Sequence, residues 1–138
     1  MSQITSLEES YLALVEFLML SKRHLHEVGS GFELNGMQVV ALILLTEPRP
    51  MHYFTKFFNC DPSNTTSMVD SLESKGIVTR IESESDRRIK NVSLLPKGKK
   101  TRSALLGTLS EHMKLPLSKL SPSEAQDFIK LVQKITQT

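Results

Sequence analysis

The sequence predicts a mostly α fold with one small β-hairpin, and three observations carry that prediction. Capping patterns followed by apolar residues at helical spacing mark the helix starts. Two stretches, Ile77–Glu82 and Asn91–Leu94, alternate apolar and polar residues as strands with one buried face do. Two predicted helices, over 51–58 and 62–75, are separated only by residues 59–61, the spacing of a helix-turn-helix. A hairpin directly behind such a pair is a wing. The predicted architecture is therefore a winged helix-turn-helix with long terminal helices forming a dimerisation region.

Each element has a local cause. Thr5 with Glu8 reads as a capping box, in which each side chain satisfies an orphan N–H of the helix start. Leu7, Tyr11, Leu14, Val15, Leu18 and Leu25 follow at helical spacing. Asn35 with Gln38 repeats the device, Met37, Val40, Ala41 and Leu44 are the expected buried stripe, and Pro48 stops that helix. In the next pair, Asn59 ends the short helix because it tolerates a left-handed backbone. Cys60 and Asp61 make the turn, Asp61 caps the following helix, and Gly76 closes it. After the hairpin, Pro96 starts a long helix that Pro116 ends or kinks. Ser121-Pro122-Ser123-Glu124 is a third capping box, leading into Phe128, Leu131, Val132 and Ile135.

A length of 138 residues suits one domain or one protomer of a symmetric assembly. Residues 35–95 form the expected winged lobe, and 1–34 and 96–138 the helical dimerisation region. No run approaches a membrane span, and the N-terminus lacks the basic start and apolar core of a signal peptide. A single cysteine, Cys60, precludes an internal disulfide and fits a reducing compartment, so the cytoplasm is expected. Net charge is only +2. However, Arg87, Arg88, Lys90, Lys97, Lys99, Lys100 and Arg102 fall in one stretch without an acid, which reads either as a phosphate-binding surface or as a solvated one.

On the second helix of the pair, Thr65, Met68, Val69 and Leu72 recur at inward spacing. Ser63, Asn64, Thr66, Ser67 and Ser71 lie off that stripe. Such a face is poor in helix formers, and short hydroxyls and amides suit close approach to phosphates and base edges. It is read as the recognition surface, beside the plainer reading of a surface helix with incidental small polar residues. In the wing, Arg87, Arg88 and Lys90 are the candidate cations, with Asp86 holding one guanidinium in a defined pose; the plainer alternative is an exposed turn with an incidental ion pair.

The resemblance then becomes specific. Phe54-Thr55-Lys56-Phe57-Phe58-Asn59-Cys60-Asp61-Pro62-Ser63 is similar to the Leu-Ala-x-x-Leu-Gly-Val-x-x-Ser helix and turn of the MarR family. Thr66, Val69-Asp70, Leu72-Glu73 and Lys75-Gly76-Ile77-Val78 follow the same pattern, and Asp86-Arg87-Arg88 with Leu94 and Gly98 resembles its wing signature. The match covers residues 35–98, with the flanking helices similar in layout only. Ser67 stands where many relatives carry an arginine, and Leu95 replaces a capping threonine. The resemblance implies a homodimer that binds a pseudo-palindromic double-stranded DNA operator to regulate transcription, as a ligand-responsive repressor. It also implies a possible small-molecule effector in a cleft between dimer helices and lobe, where no residue of this sequence names the ligand.

Other readings are weaker. No nucleotide loop, HExxH or recognisable Ser/His/Asp set is present, so no enzyme activity and no cofactor are expected. His24 and His26 point to different sides of a helix, and His52 and His112 lack partners at ligand spacing, so no metal is expected. Cys60 occupies a turn position that is usually apolar and reads as a small core residue rather than a redox switch. The rival to DNA regulation is a winged-helix protein-interaction module with weak or no specific DNA binding.

Overall fold

The structure, a computed structural model, describes residues 3–137, with side chains from Ser6 onward. Its elements run α1 (Gln3–Gly31), α2 (Gly36–Leu44), β1 (Arg49–Pro50), α3 (Met51–Phe58), α4 (Pro62–Ser74), β2 (Val78–Glu82), β3 (Lys90–Leu94), α5 (Pro96–Leu117) and α6 (Pro122–Thr136). The mostly helical fold with a hairpin wing is as the sequence predicts. The three strands form an antiparallel sheet in the order β1-β3-β2.

The predicted caps at Asn35 and Ser121 are both complete capping boxes. Thr5 is the exception: α1 is already helical at Gln3, so the expected cap falls inside the helix, and the Thr5 side chain lies outside the described residues. At α5, Pro96 opens the helix with no side-chain cap from Leu95. Pro116 lies inside the last turn of α5, whose end is capped by Ser118.

Two expectations about α2 need correction. Of the expected stripe only Ala41 is buried, together with Gln38, Val39 and Leu42, while Met37, Val40 and Leu44 are half-buried. A helix this apolar on all sides offers no single stripe to read; α1, α4 and α5 surround it, and their positions choose the face. It also ends at Leu44, before Pro48, and the Arg102 guanidinium donates to the last-turn carbonyls of Leu42 and Ile43, at 2.8 and 3.0 Å. Strand β1, unforeseen in the sequence, is a two-residue edge pairing Arg49 with Val92 and Pro50 with Asn91. Proline is tolerated there because an edge strand need not donate from both sides.

The core gathers Phe54, Leu42, Val39, Val69, Leu72, Val78 and Val92 inside the lobe. Val28 of α1 and Leu105 of α5 complete it. Gly98 sets how close α5 approaches: a Cβ there would sit 2.0 Å from the Ile77 carbonyl oxygen. Gly76, at φ +72°, supplies the left-handed corner between α4 and β2.

Candidate nucleic-acid interface

Helices α3 and α4 are locked to each other before any surface chemistry begins. Asn59 takes the left-handed conformation, φ 48° and ψ 52°, that ends α3. Two residues on, Asp61 caps α4 by accepting from the Ser63 backbone N–H at 2.9 Å and its hydroxyl at 2.8 Å. These bonds, the backbone one first, hold the Asp61 carboxyl below its usual value. The buried Thr65 hydroxyl shares a 2.8 Å hydrogen bond with Thr55 across the pair. Cys60 is half-buried in the turn with its Sγ 3.5 Å from the Thr65 hydroxyl, so the thiol lies at the edge of the packing and not in the core.

Thr65, Met68, Val69 and Leu72 are buried as predicted, and the outward side chains fall into two groups. Ser63 donates to Asp61, and Thr66 donates to the Pro62 carbonyl at 3.1 Å. Ser71 is half-buried against α2, accepting from Gln38 Nε2 at 3.0 Å. Asn64 and Ser67 are exposed, and among the described residues their side chains have no hydrogen-bond partner. Both border a cleft of about 720 Å³ between α2 and α4, whose walls include Met37, Cys60, Met68 and Lys75.

The wing is held from both ends. Arg88 grips Asp86 with its Nε and a terminal nitrogen, each at 3.1 Å, and adds a backbone bond at 3.0 Å. The side-chain bond is the larger cause of a lowered Asp86 carboxyl, the backbone bond the smaller. Arg88 is nevertheless 91% exposed. Lys90 pairs with Glu82 across the hairpin at 3.0 Å. Arg87 is exposed with no ion-pair partner among the described residues.

Three arginines take structural roles that the sequence reading did not assign. Arg80, at the base of the wing, bonds Asp70 at 2.6 Å and Glu73 at 2.8 Å, tying β2 to α4. Arg49 lies 4.6 Å over the Tyr53 ring and binds the Leu44 carbonyl. Arg102, counted within the basic stretch, turns inward to α2, while Lys97 donates to the Lys75 carbonyl. The stretch is therefore not one phosphate-facing surface. A signal for Arg102 did exist: Gly98, Arg102, Leu105 and Leu109 share one face of α5. The fold also brings His112 5.5 Å from the His24 ring and 3.8 Å from Glu27, a proximity that sequence spacing does not show. No group of metal-ligating side chains suited to an ion occurs among the described residues.

A helix-turn-helix with an uncommitted polar face, followed by a braced basic wing, is the arrangement that the family comparison then matches over residues 34–90. Over that segment the chain is similar to the MarR family. No curated protein matches the sequence. Among solved structures, the transcriptional regulator BldR from Sulfolobus solfataricus is similar at 26% identity and a TM-score of 0.84, covering 98% of this chain and 97% of that one. CouR from Rhodococcus jostii, bound to p-coumaroyl-CoA, has a TM-score of 0.79 at 19% identity, covering 91% of each chain. Apo MarR from E. coli has a TM-score of 0.72 at 21% identity, covering 90% of this chain and 94% of that one. The MarR-type likeness thus extends in fold over the terminal helices as well as the winged lobe. No helix among the described residues is long and apolar enough to cross a membrane.

Proposed function

We propose that this chain binds double-stranded DNA sequence-specifically as a homodimer and represses transcription until a small molecule releases it. The carrying observation is the polar face of α4, on which Asn64 and Ser67 have no side-chain partner among the described residues, next to a wing that presents Arg87 and Arg88. Helix α4 supplies side chains to the major groove, and the arginines suit the negative potential of the neighbouring minor groove. The site residues of this reading are Ser63, Asn64, Thr66 and Ser67 on α4 and Asp86, Arg87, Arg88 and Lys90 on the wing. Ser71 is assigned to holding α4 against α2.

Dimerisation is supported by the uncovered apolar side chains of α1 and α6, including Leu7, Tyr11, Leu14, Leu131 and Ile135. A two-fold partner would set a second recognition helix about 34 Å away, one turn of DNA. Release by an effector is supported by likeness to CouR, which is bound to p-coumaroyl-CoA.

Fluorescence anisotropy on DNA from upstream of its own gene, beside a scrambled duplex and across a salt series, tests this reading. A preference of roughly 10³-fold or more that weakens steeply with salt is expected. Absence of binding at low salt would replace it with the protein-interaction module, a reading that the lack of any Lys or Arg on α4 favours.

A further inference from the structure

Helix α4, Pro62–Ser74, contains no lysine or arginine, one asparagine and no glutamine. The commonest specific contact in the major groove, a basic side chain on guanine O6 and N7, is therefore absent from it. A carboxylate accepting from cytosine N4 is also unavailable. Asp61 is committed to Ser63, and Asp70 and Glu73 are committed to Arg80. The hydroxyl proton of Ser63 goes to Asp61, and that of Thr66 goes to the Pro62 carbonyl, leaving the Thr66 methyl group to meet a base edge. Ser71 is drawn toward α2 by Gln38. Ser67 remains, a single hydroxyl that suits any base.

We infer that α4 reads an A·T pair, with the Asn64 amide spanning adenine N6 and N7 and Thr66 set for a thymine methyl. This inference rests on the proposed DNA-binding function. Asn64 is exposed, lies in the first turn of the helix, and has the one side chain on α4 that both donates and accepts in a fixed plane. At about 100° per residue, Asn64 and Thr66 lie on opposite flanks of the outermost positions, which include Ser63, Ser67 and Asp70. The helix therefore meets the groove without a basic side chain, with its Asp70 already paired to Arg80, and with an amide on one flank. A second feature agrees: Arg87 on the wing is exposed, and arginine favours the narrow minor groove of A·T tracts. The half-site implied has A·T pairs under α4 and an A·T-rich flank under the wing.

The test selects binding sites for the full chain from randomised duplexes, then replaces the adenine under α4 in one half-site with 7-deazaadenine, which lacks N7. Expected are half-sites fixed at A·T there, with 7-deazaadenine weakening the native protein roughly 5- to 150-fold. Asn64→Ala should lose a similar factor on the natural site and respond less than about 2-fold to the deaza base, while melting like the parent. Half-sites fixed at G·C, or an equal deaza penalty in both proteins, would overturn the inference and leave sequence-specific DNA binding standing. A selection that enriches no sequence would overturn the proposed function and the inference with it.

Discussion

In the lobe, Phe54, Leu42 and Leu72 are fully buried, and no buried side-chain N or O atom among the described residues lacks a partner. On the terminal helices, Leu14 is 59% exposed and Ile135 is 77% exposed, and α6 has no buried residue at all. Its one aromatic anchor is Phe128, edge-on to Phe17 of α1 at 5.4 Å. An isolated 15-residue helix is marginal in water, so α6 draws its stability from what covers its apolar face. The lobe is held by contacts within one chain, whereas the terminal helices leave an apolar face uncovered, which in the proposed dimer is half of an interface. Their stability should therefore follow mass action, and that of the lobe should not.

The sharpest way to break this contrast is to charge the uncovered face. Leu14→Asp with Leu131→Asp should give a monomeric mass by light scattering and cost roughly 10²- to 10⁴-fold in operator affinity, because two linked half-site contacts become separate ones. A dimer surviving that pair of changes would remove the two-region picture. Inside the lobe, Phe54→Ala should lose about 3–5 kcal/mol in urea unfolding, and by the same amount at low and high protein concentration. Arg102→Met keeps the aliphatic stem but leaves two carbonyls of α2 unanswered; about 1.5–3 kcal/mol is expected, read by the same unfolding experiment.

The smallest effect is local. Asp86 is held below its usual carboxyl range by Arg88. Its contribution to wing order is therefore complete above the ordinary aspartate range and disappears as pH falls through the lowered value. The Arg88 amide resonance, followed by NMR between about pH 6 and pH 2, should titrate below that ordinary range and stay flat in Asp86→Asn. A flat native profile would show that the pair does not brace the wing.

Local chemistry made much of the interface legible. The inward positions of α4 follow from 3.6-residue periodicity, and the Asp61 cap, the Asn59 turn and the Asp86–Arg88 pair all act between residues a few positions apart. Partnerships across longer stretches were not legible. Gln38 reaches Ser71 from another helix, and Arg80 looks like an ordinary outward strand residue until Asp70 and Glu73 are placed beside it. Cys60 looked like core because related turns are apolar there, but in this fold it sits half-exposed at the rim of the α2–α4 cleft.

The sequence by itself determined which segments are helix, turn and wing, since propensity, capping and apolar period are properties of neighbours along the chain. It also determined that α4 carries no base-reading cation, a matter of composition alone. Only the tertiary structure decided which face of α2 is buried, where Arg102 points, and that Ser71 of α4 is drawn to Gln38. A hydrogen bond to a residue tens of positions away, such as Gln38 to Ser71 or Arg102 to Leu42, leaves no trace in local spacing.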